Sequence, residues 1–178
     1  MKFKELRDFI IRDLMRYEEN VNIFNFLRYV FFTPGFKYSY HMRKYRYLSE
    51  NKIFKYLKPI YKLRLKHYTY KYGIQIPIEA SIGKGILIRH FGGIFINPDC
   101  TIGENFTISQ GVTIGVNKGG VPIIGDNVFI APGAKVIGKI VIGNNVTIGV
   151  NSVITKDVPS NAVVGGNPMK ILYYKEIN

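Results

Sequence analysis

The residue best suited to chemistry in this sequence is His90, which lies in the short glycine-containing stretch 89–93 (RHFGG). A neutral imidazole, with an ordinary pKa of about 6.5, can accept a proton from a hydroxyl group near neutral pH. The other two histidines, His41 and His67, belong to the basic N-terminal part, where we expect them on helical or loop surfaces. The sequence therefore predicts a general base at His90.

The structure that must position His90 is a repeat in the second half of the chain. An aliphatic residue recurs at steps of six, with two interruptions, at Ile76, Ile82, Ile88, Ile96, Ile102, Ile108, Ile114, Ile124, Ile130, Val136, Ile142, Ile148 and Ile154. A period of six fits neither an α-helix nor an alternating strand, but it fits a solenoid whose coils bury stacked side chains. We expect an all-β, left-handed parallel β-helix of hexapeptide repeats, just over four coils long, preceded by an α-helical segment.

The repeat is interrupted twice, and the interruptions are candidates for the functional loops. The step from Ile88 to Ile96 is eight residues, and the step from Ile114 to Ile124 is ten, which leaves 115–122 as an insertion. A solenoid accommodates insertions as loops on one face, often the binding face. Both loops contain glycines, which allow a backbone to approach a ligand closely.

Composition divides the 178 residues into two parts. Residues 1–75 hold 17 Lys and Arg against 6 Asp and Glu, and 19 of the 25 Phe and Tyr precede Gly73. We therefore expect a basic, aromatic-rich helical segment at 1–72, a β-helix domain at 73–172 and a tail at 173–178. The single cysteine, Cys100, falls at an inward-facing position and suits a core role in a reducing compartment. No signal sequence or spanning segment is visible, so we expect a cytoplasmic protein.

Four stretches of the repeat region carry a family resemblance. Residues 88–97 (IRHFGGIFIN) and 109–115 (SQGVTIG) resemble the active-site region of serine acetyltransferases, and resemble more closely the sugar O-acetyltransferases of colanic-acid and capsule gene clusters. Residues 152–159 (SVITKDVP) and 164–170 (VGGNPMK) resemble the closing coil and the Pro-x-Lys tail of the same superfamily. The resemblance covers residues 73–172.

The resemblance implies an acetyl-CoA-dependent O-acetyltransferase without a metal, assembled as a homotrimer with the co-substrate between adjacent β-helices. His90 would be the general base for direct transfer in a ternary complex. The residues expected at acetyl-CoA are Gly115, Asn117, Lys118, Ala131, Gly133, Gly149, Lys156 and Lys170, with Lys135 as a further cation near the phosphates. The residues expected at the acceptor are Arg89, Gly92, Gly93 and Asn97.

The sequence departs from serine acetyltransferases around the predicted base. Those enzymes usually carry one acid before the histidine and another in the preceding coil, where this chain has Arg89 and Gln75, and their second histidine is absent. We count Gln75 with His90 as catalytic, and Asp99 or Glu104 could replace the missing imidazole partner. A neutral Gln75 and a cationic Arg89 favour a sugar or polysaccharide hydroxyl, or an acceptor with a carboxylate or phosphate. Serine is the alternative acceptor, and a non-catalytic assembly scaffold is the alternative of another class.

The basic segment is expected to form helices over 3–14 and 22–32, a turn at Pro34-Gly35, and further helical stretches up to residue 72. A helical cap with a solvated basic face is the favoured interpretation. Peripheral contact with an anionic membrane is a second interpretation, because aromatics and Lys or Arg suit the lipid interface. We expect no nucleic-acid binding, since no recognition motif is present.

Overall fold

The structure is a computed structural model that describes residues 2–51, 53 and 56–176. The helices within these residues are α1 (Phe3–Met15), α2 (Ile23–Phe32), α3 (Pro34–Glu50) and α4 (Lys58–Tyr72). None of the described helices is both long and apolar enough to cross a membrane. The strands are β1 (Ile74–Gln75), β2 (Ser81–Ile82), β3 (Leu87–Ile88), β4 (Ile94–Ile96), β5 (Thr101–Ile102), β6 (Thr107–Ile108), β7 (Thr113–Gly115), β8 (Ile123–Ile124), β9 (Phe129–Ile130), β10 (Lys135–Ile137), β11 (Val141–Ile142), β12 (Thr147–Ile148), β13 (Val153–Ile154), β14 (Ala162–Gly165) and β15 (Lys170–Tyr174).

The strands wind into a three-sided prism. Sheet A contains β1, β4, β7, β10 and β13, and sheet B contains β2, β5, β8 and β11. Sheet C contains β3, β6, β9, β12 and β14, with β15 added antiparallel at its edge. The predicted left-handed parallel β-helix with N-terminal helices is confirmed.

The repeated aliphatic residues form the core, as the period predicts. Equivalent positions stack in register, for example Ile82 on Ile102 and Ile102 on Ile124, and every repeat position is at most 3% exposed. Each such side chain contributes about 1.5–3 kcal/mol through burial. The structure adds Val158 and Val164 as repeat positions, giving about five coils instead of just over four. The step before Val158 is shortened to four residues, which hides it from a search for a period of six.

We name the three corners of the prism after the sheets they join along the chain: A/B, B/C and C/A. At the B/C corner, four asparagines adopt left-handed φ angles of 55–63° and form a ladder of side-chain amide hydrogen bonds of 2.9–3.0 Å; they are Asn105, Asn127, Asn145 and Asn161. At the C/A corner the left-handed positions of three successive coils are glycines: Gly93, Gly111 and Gly133. One corner is therefore a polar ladder, whereas at the other the left-handed positions are glycines until Asn151 of the next coil, with a φ of 52°.

Two tyrosines of the helices close the open end of the first coil. Tyr38 Oη accepts the N–H of Ile76 (3.1 Å) and lies 3.3 Å from its carbonyl oxygen, to which it donates. Tyr17 Oη does the same at Ile88, at 2.9 and 3.2 Å. Burial raises the pKa of both phenols, so both keep the proton that the carbonyls accept. The free backbone edges beside sheets A and C are thus satisfied by side chains.

A buried ion pair closes the third side of this coil. Arg43 donates to the carbonyls of Ile82 (2.8 Å) and Gly83 (2.7 Å) and to both carboxylate oxygens of Asp13 (3.0 and 3.3 Å). The Asp13 carboxylate also accepts the N–H groups of residues 85 and 86, at 2.8 and 3.0 Å. Burial raises the pKa of Asp13, and Arg43 and the two amides oppose that shift. The pair links α1 and α3 to the β-helix.

Two expectations for the basic segment were wrong. Pro34 and Gly35 begin α3 and do not form a separate turn, because proline is accepted in the first turn of a helix. Gly35 lies so close to sheet C that a Cβ there would collide with the carbonyl oxygen of Ile88. The second wrong expectation was that His41 lies on a helical or loop surface. His41 is only 6% exposed, in contact with the rings of Tyr40 and Tyr68, and burial lowers its pKa to about 4.

Candidate active site

His90 lies on the loop of the C/A corner that joins β3 to β4, and its side chain is exposed. The next residue, Phe91, packs its ring against Tyr72 of α4, with 5.6 Å between centroids. Tyr72 in turn stacks on Tyr68, again at 5.6 Å and nearly parallel. The helical segment therefore anchors the loop while the imidazole stays open to solvent.

The backbone of this loop is bonded at its ends and free in its middle. Arg89 donates its N–H to the carbonyl of Ile108 (3.0 Å), and Ile94 donates to the carbonyl of Gly73 (3.0 Å). Between them, within the part of the chain that the structure describes, the N–H groups of Gly92 and Gly93 reach no protein acceptor. Free N–H groups beside a base are suited to stabilising a developing oxyanion.

Arg89 lies against sheet C. Its guanidinium is 5.5 Å from the ring centroid of Phe129, a cation–π contact. Arg16 lies nearby and donates to the carbonyl of Gly85 (3.2 Å) and the hydroxyl of Thr107 (2.9 Å). Burial, and then the charge of Arg89, lowers the pKa of Arg16. The His90 loop thus has two guanidinium groups on its sheet C side.

A column of small residues continues the C/A corner beyond His90. A Cβ added to Gly93 would lie 3.5 Å from the Cα of Gly111, and one added to Gly111 would lie 3.3 Å from the Cα of Gly133. The column ends at Asn151, because a Cβ added to Gly133 would collide with the Oδ1 of Asn151. Ala131 and Gly149 lie two residues earlier in their coils and match one another, and their N–H groups donate to carbonyls of the next coil at 2.9 and 2.8 Å. The glycines of this corner therefore stack closely coil on coil, and the open space lies beside Gly92, where an added Cβ would meet nothing within 4 Å.

Two polar side chains, Gln110 and Lys135, lie beside this column. The sequence did not point to Gln110. Gln110 has its Oε1 buried without a hydrogen-bond partner among the described residues. Lys135 donates to the carbonyl of Gly111 (2.6 Å) and to the hydroxyl of Thr113 (3.1 Å), which fixes an ammonium group near the corner. A buried acceptor without a partner is available to a ligand. The feature that could have indicated it is that Gln110 places a long amide side chain at the corner position that Pro132 and Val150 occupy in the next two coils.

The second insertion, residues 115–122, lies on a different corner from His90. It folds into a tight hairpin in which Asn117 and Gly120 exchange backbone hydrogen bonds (3.1 and 2.9 Å), and it packs beside Lys139 of the next coil at the A/B corner. The expectation of a single loop-bearing face was therefore wrong. The first insertion follows three repeats and the second follows seven, so they differ by one corner of a three-sided coil.

The predicted site residues consequently divide between two corners of this chain. Those on the C/A corner are Arg89, His90, Gly92, Gly93, Ala131, Gly133 and Gly149. Those on the A/B corner are Asn97, Gly115, Asn117, Lys118 and Lys156. Sheet A, whose outward residues include Lys135, separates the two groups. Lys170 is exposed on β15 at the edge of sheet C.

The predicted partners of His90 lie elsewhere in the chain. Gln75 on β1 lines a groove of about 420 Å³ between α4 and the first coil, together with Lys62 and Glu79. Asp99 lies on the A/B corner, where its N–H donates to the Asn97 side chain (3.0 Å). Glu104 lies on the B/C corner, 3.9 Å from the ammonium of Lys84. The described contacts thus assign no carboxylate to the imidazole.

Residues 122–156 match the family model described as bacterial transferase hexapeptide (six repeats). The chain has the hexapeptide-repeat fold of these transferases. This hexapeptide-repeat chain is 51% identical over 104 residues to serine acetyltransferase of Staphylococcus aureus strain Mu50, covering 56% of the chain and 49% of that protein. The chain thus spans about half the length of the curated relatives it matches.

Two solved structures are similar over nearly the whole hexapeptide-repeat chain. Soybean serine acetyltransferase complexed with serine has a TM-score of 0.80 and 29% identity, covering 95% of this chain and 70% of that one. A serine acetyltransferase in complex with CoA has a TM-score of 0.79 and 26% identity, covering 96% and 71%. The similarity extends across the helical segment as well as the β-helix.

These comparisons contradict the expected sugar or polysaccharide acceptor. The curated relatives at 51% identity and the solved structures carry the name serine acetyltransferase. The expectation gave too much weight to Gln75 and Arg89. The structure places Arg89 on Phe129 along sheet C and Gln75 in the groove beside α4. Neither contact points to a sugar, and a glycan partner and a role in polysaccharide synthesis have no support.

Proposed function

We propose that this chain is a serine acetyltransferase that moves the acetyl group of acetyl-CoA to the hydroxyl of serine. The observation that carries the proposal is the exposed His90 on a glycine-containing corner loop, beside a column of small residues, in a chain similar to serine acetyltransferases. Residues 73–172 would be the catalytic unit and residues 1–72 its cap, while Tyr173 and Tyr174 of the expected tail 173–178 belong to β15.

The loop supplies the groups that direct transfer requires. The His90 imidazole takes the proton from the serine Oγ while that oxygen bonds to the thioester carbonyl carbon. The N–H groups of Gly92 and Gly93 are the donors for the oxyanion. When the C–S bond breaks, the CoA thiolate leaves and receives the proton from the imidazolium. All atoms are accounted for without an acyl-enzyme.

An acyl-enzyme on cysteine is disfavoured by the state of the single thiol. Cys100 is 1% exposed, and burial raises the pKa of its thiol to about 11. The thiolate is the reactive form of cysteine, so a buried neutral thiol does not attack a thioester. Transfer in a ternary complex is therefore the proposed order of events.

The surroundings of His90 suit acetyl-CoA and an amino acid. Because Gly111, Ala131, Gly133 and Gly149 carry no side chain larger than a methyl group, and a Cβ at Gly92 would meet nothing within 4 Å, an extended ligand can approach the backbone of the C/A corner. The exposed Lys118, Lys156 and Lys170 are our candidates for the CoA phosphates, and Lys135 adds a fixed cation. Arg89 is our candidate for the serine carboxylate, because guanidinium and carboxylate form paired hydrogen bonds.

The separation of the two insertions supports a homotrimer. One chain presents His90 at one edge of sheet A and residues 115–122 at the other edge, so a site that uses both loops needs a second copy. In a ring of three copies, the 115–122 loop of each chain would border the His90 corner of its neighbour. Light scattering should give three times the chain mass of 20.4 kDa. A monomer that transfers acetyl groups at full rate would contradict this arrangement.

The function is tested by thiol release from acetyl-CoA with serine as acceptor, compared with other amino acids and with sugars. His90→Ala should lower kcat/KM by about 10²–10⁴-fold, the usual contribution of a general base. His67→Ala is the matched control, because His67 is an exposed histidine of α4 outside the site. Equal rates for both variants would remove His90 from the mechanism. Absence of acetyl-CoA binding would favour the assembly scaffold.

A further inference from the structure

Helix α4 carries two apolar faces, only one of which is used by the fold. Leu65 and Tyr72 are each 8% exposed and belong to the core. On the other side of the helix, Ile60, Leu63 and Tyr70 are 52%, 67% and 74% exposed. Spacings of three and seven residues place these three side chains in one stripe along the helix. We call Ile60, Leu63 and Tyr70 the outer stripe.

The outer stripe runs between two rows of cations. The five basic residues of α4 are all exposed: Lys58, Lys62, Arg64, Lys66 and Lys71. At 100° per residue, Arg64 and Lys71 fall on one side of the stripe and Lys62 and Lys66 on the other, whereas Lys58 falls on the side of the buried Leu65. The helix contains no Asp or Glu, and within the described part of the chain none of the five forms an ion pair.

We propose that the outer stripe of α4 docks the protein on an anionic membrane surface. An apolar stripe flanked by cations fits an interface in which acyl chains lie below negatively charged headgroups. A second copy of the same helix would bring five cations against five, and nucleic acid would leave the apolar stripe without a partner. This proposal does not depend on the proposed acetyl transfer.

Charge distinguishes this surface from the other exposed apolar face of the helical segment. Helix α2 exposes Phe24 and Phe31, at 74% and 61%, but Arg28 is its only charged residue. The charges of α2 therefore do not indicate which kind of partner its apolar face would contact. On α4 the four cations that flank the stripe provide that selection, because each basic residue near an anionic surface contributes about a five-fold gain in binding.

The test is flotation of the full chain with vesicles of phosphatidylcholine and phosphatidylserine in a 3:1 ratio. Binding should occur at low salt, decrease as salt is raised, and be absent with phosphatidylcholine alone. Ile60→Ser with Leu63→Ser should weaken binding about ten-fold or more. Arg64→Gln with Lys66→Gln, one cation from each side of the stripe, should weaken it about 25-fold. Leu172→Ser with Tyr173→Ser, which removes comparable exposed apolar surface from β15, is the matched control and should bind normally.

Thermal melts by circular dichroism establish that each variant is folded before its binding is compared. The proposal is overturned if the unaltered chain does not float with anionic vesicles at low salt, or if the β15 control loses binding as much as the α4 variants. It is also overturned if Ile60→Ser with Leu63→Ser lowers the mass measured by light scattering, because the stripe would then join copies of the chain. Acetyl transfer without vesicles is measured separately, so loss of binding is distinguishable from failure of the proposed function.

Discussion

The Asp13–Arg43 pair gives the most direct test of how the helices hold the β-helix. Arg43→Met keeps a long side chain at this position but removes all the hydrogen bonds that the guanidinium donates to Asp13, Ile82 and Gly83. Both charged side chains are 1% exposed, so the change leaves a buried carboxylate that has only two backbone amides as partners. Breaking such a pair from one side costs about 3–5 kcal/mol of the free energy of unfolding. We expect a loss of that size for Arg43→Met.

A double-mutant cycle separates the pair from its surroundings. Asp13→Asn with Arg43→Met leaves no unpaired buried charge, so it should be less destabilised than the sum of the single changes by about 1 kcal/mol or more. Urea unfolding followed by far-ultraviolet circular dichroism measures this, at one fixed protein concentration because assembly affects apparent stability. Lys84→Met is the control: its contacts with Asp8 and Glu104 lie at the surface and should contribute about 0–1 kcal/mol. A loss below about 1 kcal/mol for Arg43→Met, or strict additivity, would refute the reasoning.

Two further predictions concern the asparagine ladder and the buried histidine. Asn127→Ala removes amide hydrogen bonds to Asn105 and Asn145 and places alanine at a φ of 55°, so unfolding should require about 2–3 kcal/mol less. Asn127→Gly loses the same bonds without the backbone strain and should be about 1 kcal/mol more stable than the alanine variant in the same urea titration; equal stabilities would contradict the role of φ. For His41, burial followed by the charges of Arg64, Lys44 and Lys37 lowers the pKa to about 4 in the folded state, against 6.5 as the ordinary value. The unfolded chain then binds more protons between those values, so stability should fall by about 1–3 kcal/mol as the pH drops from 6.5 to 4, and His41→Phe should remove that part of the pH dependence. A wild-type pH profile parallel to that of His41→Phe would show that His41 does not titrate in this window.

The β-helix could be predicted because its repeat is local. Each of the three repeats in a coil places one aliphatic residue inward, nearly always six positions after the previous one. The period from Ile76 to Ile154 is therefore visible without knowing any distant contact. The repeat at Val158 escaped because the step before it is four residues. The corners of the two insertions could also have been obtained, since the number of repeats before each loop decides its corner of a three-sided coil.

The packing of the helical segment could not be read from the sequence. Arg43 and His41 occur in a run of aromatic and basic residues that resembles a solvated helix face, and nothing in their spacing distinguishes them from half-buried neighbours such as Lys37. Their burial depends on where α3 meets the first coil. Gln110 was missed for a related reason: its isolated acceptor becomes apparent only when the coils are stacked. The preference for a sugar acceptor was wrong because two side-chain identities were interpreted without their positions.

The closed first coil also affects whether copies of this β-helix can polymerise end to end. A parallel solenoid has two unlike ends, and the exposed edge of one copy matches the opposite edge of the next, which is the geometry of an open head-to-tail filament. Tyr17, Tyr38 and Arg43 occupy the hydrogen-bonding groups that an incoming coil would need. At the far end, β15 runs antiparallel and ends the parallel order of sheet C. The contacts that join the helices to the first coil therefore also block head-to-tail polymerisation at that end, and β15 blocks it at the other.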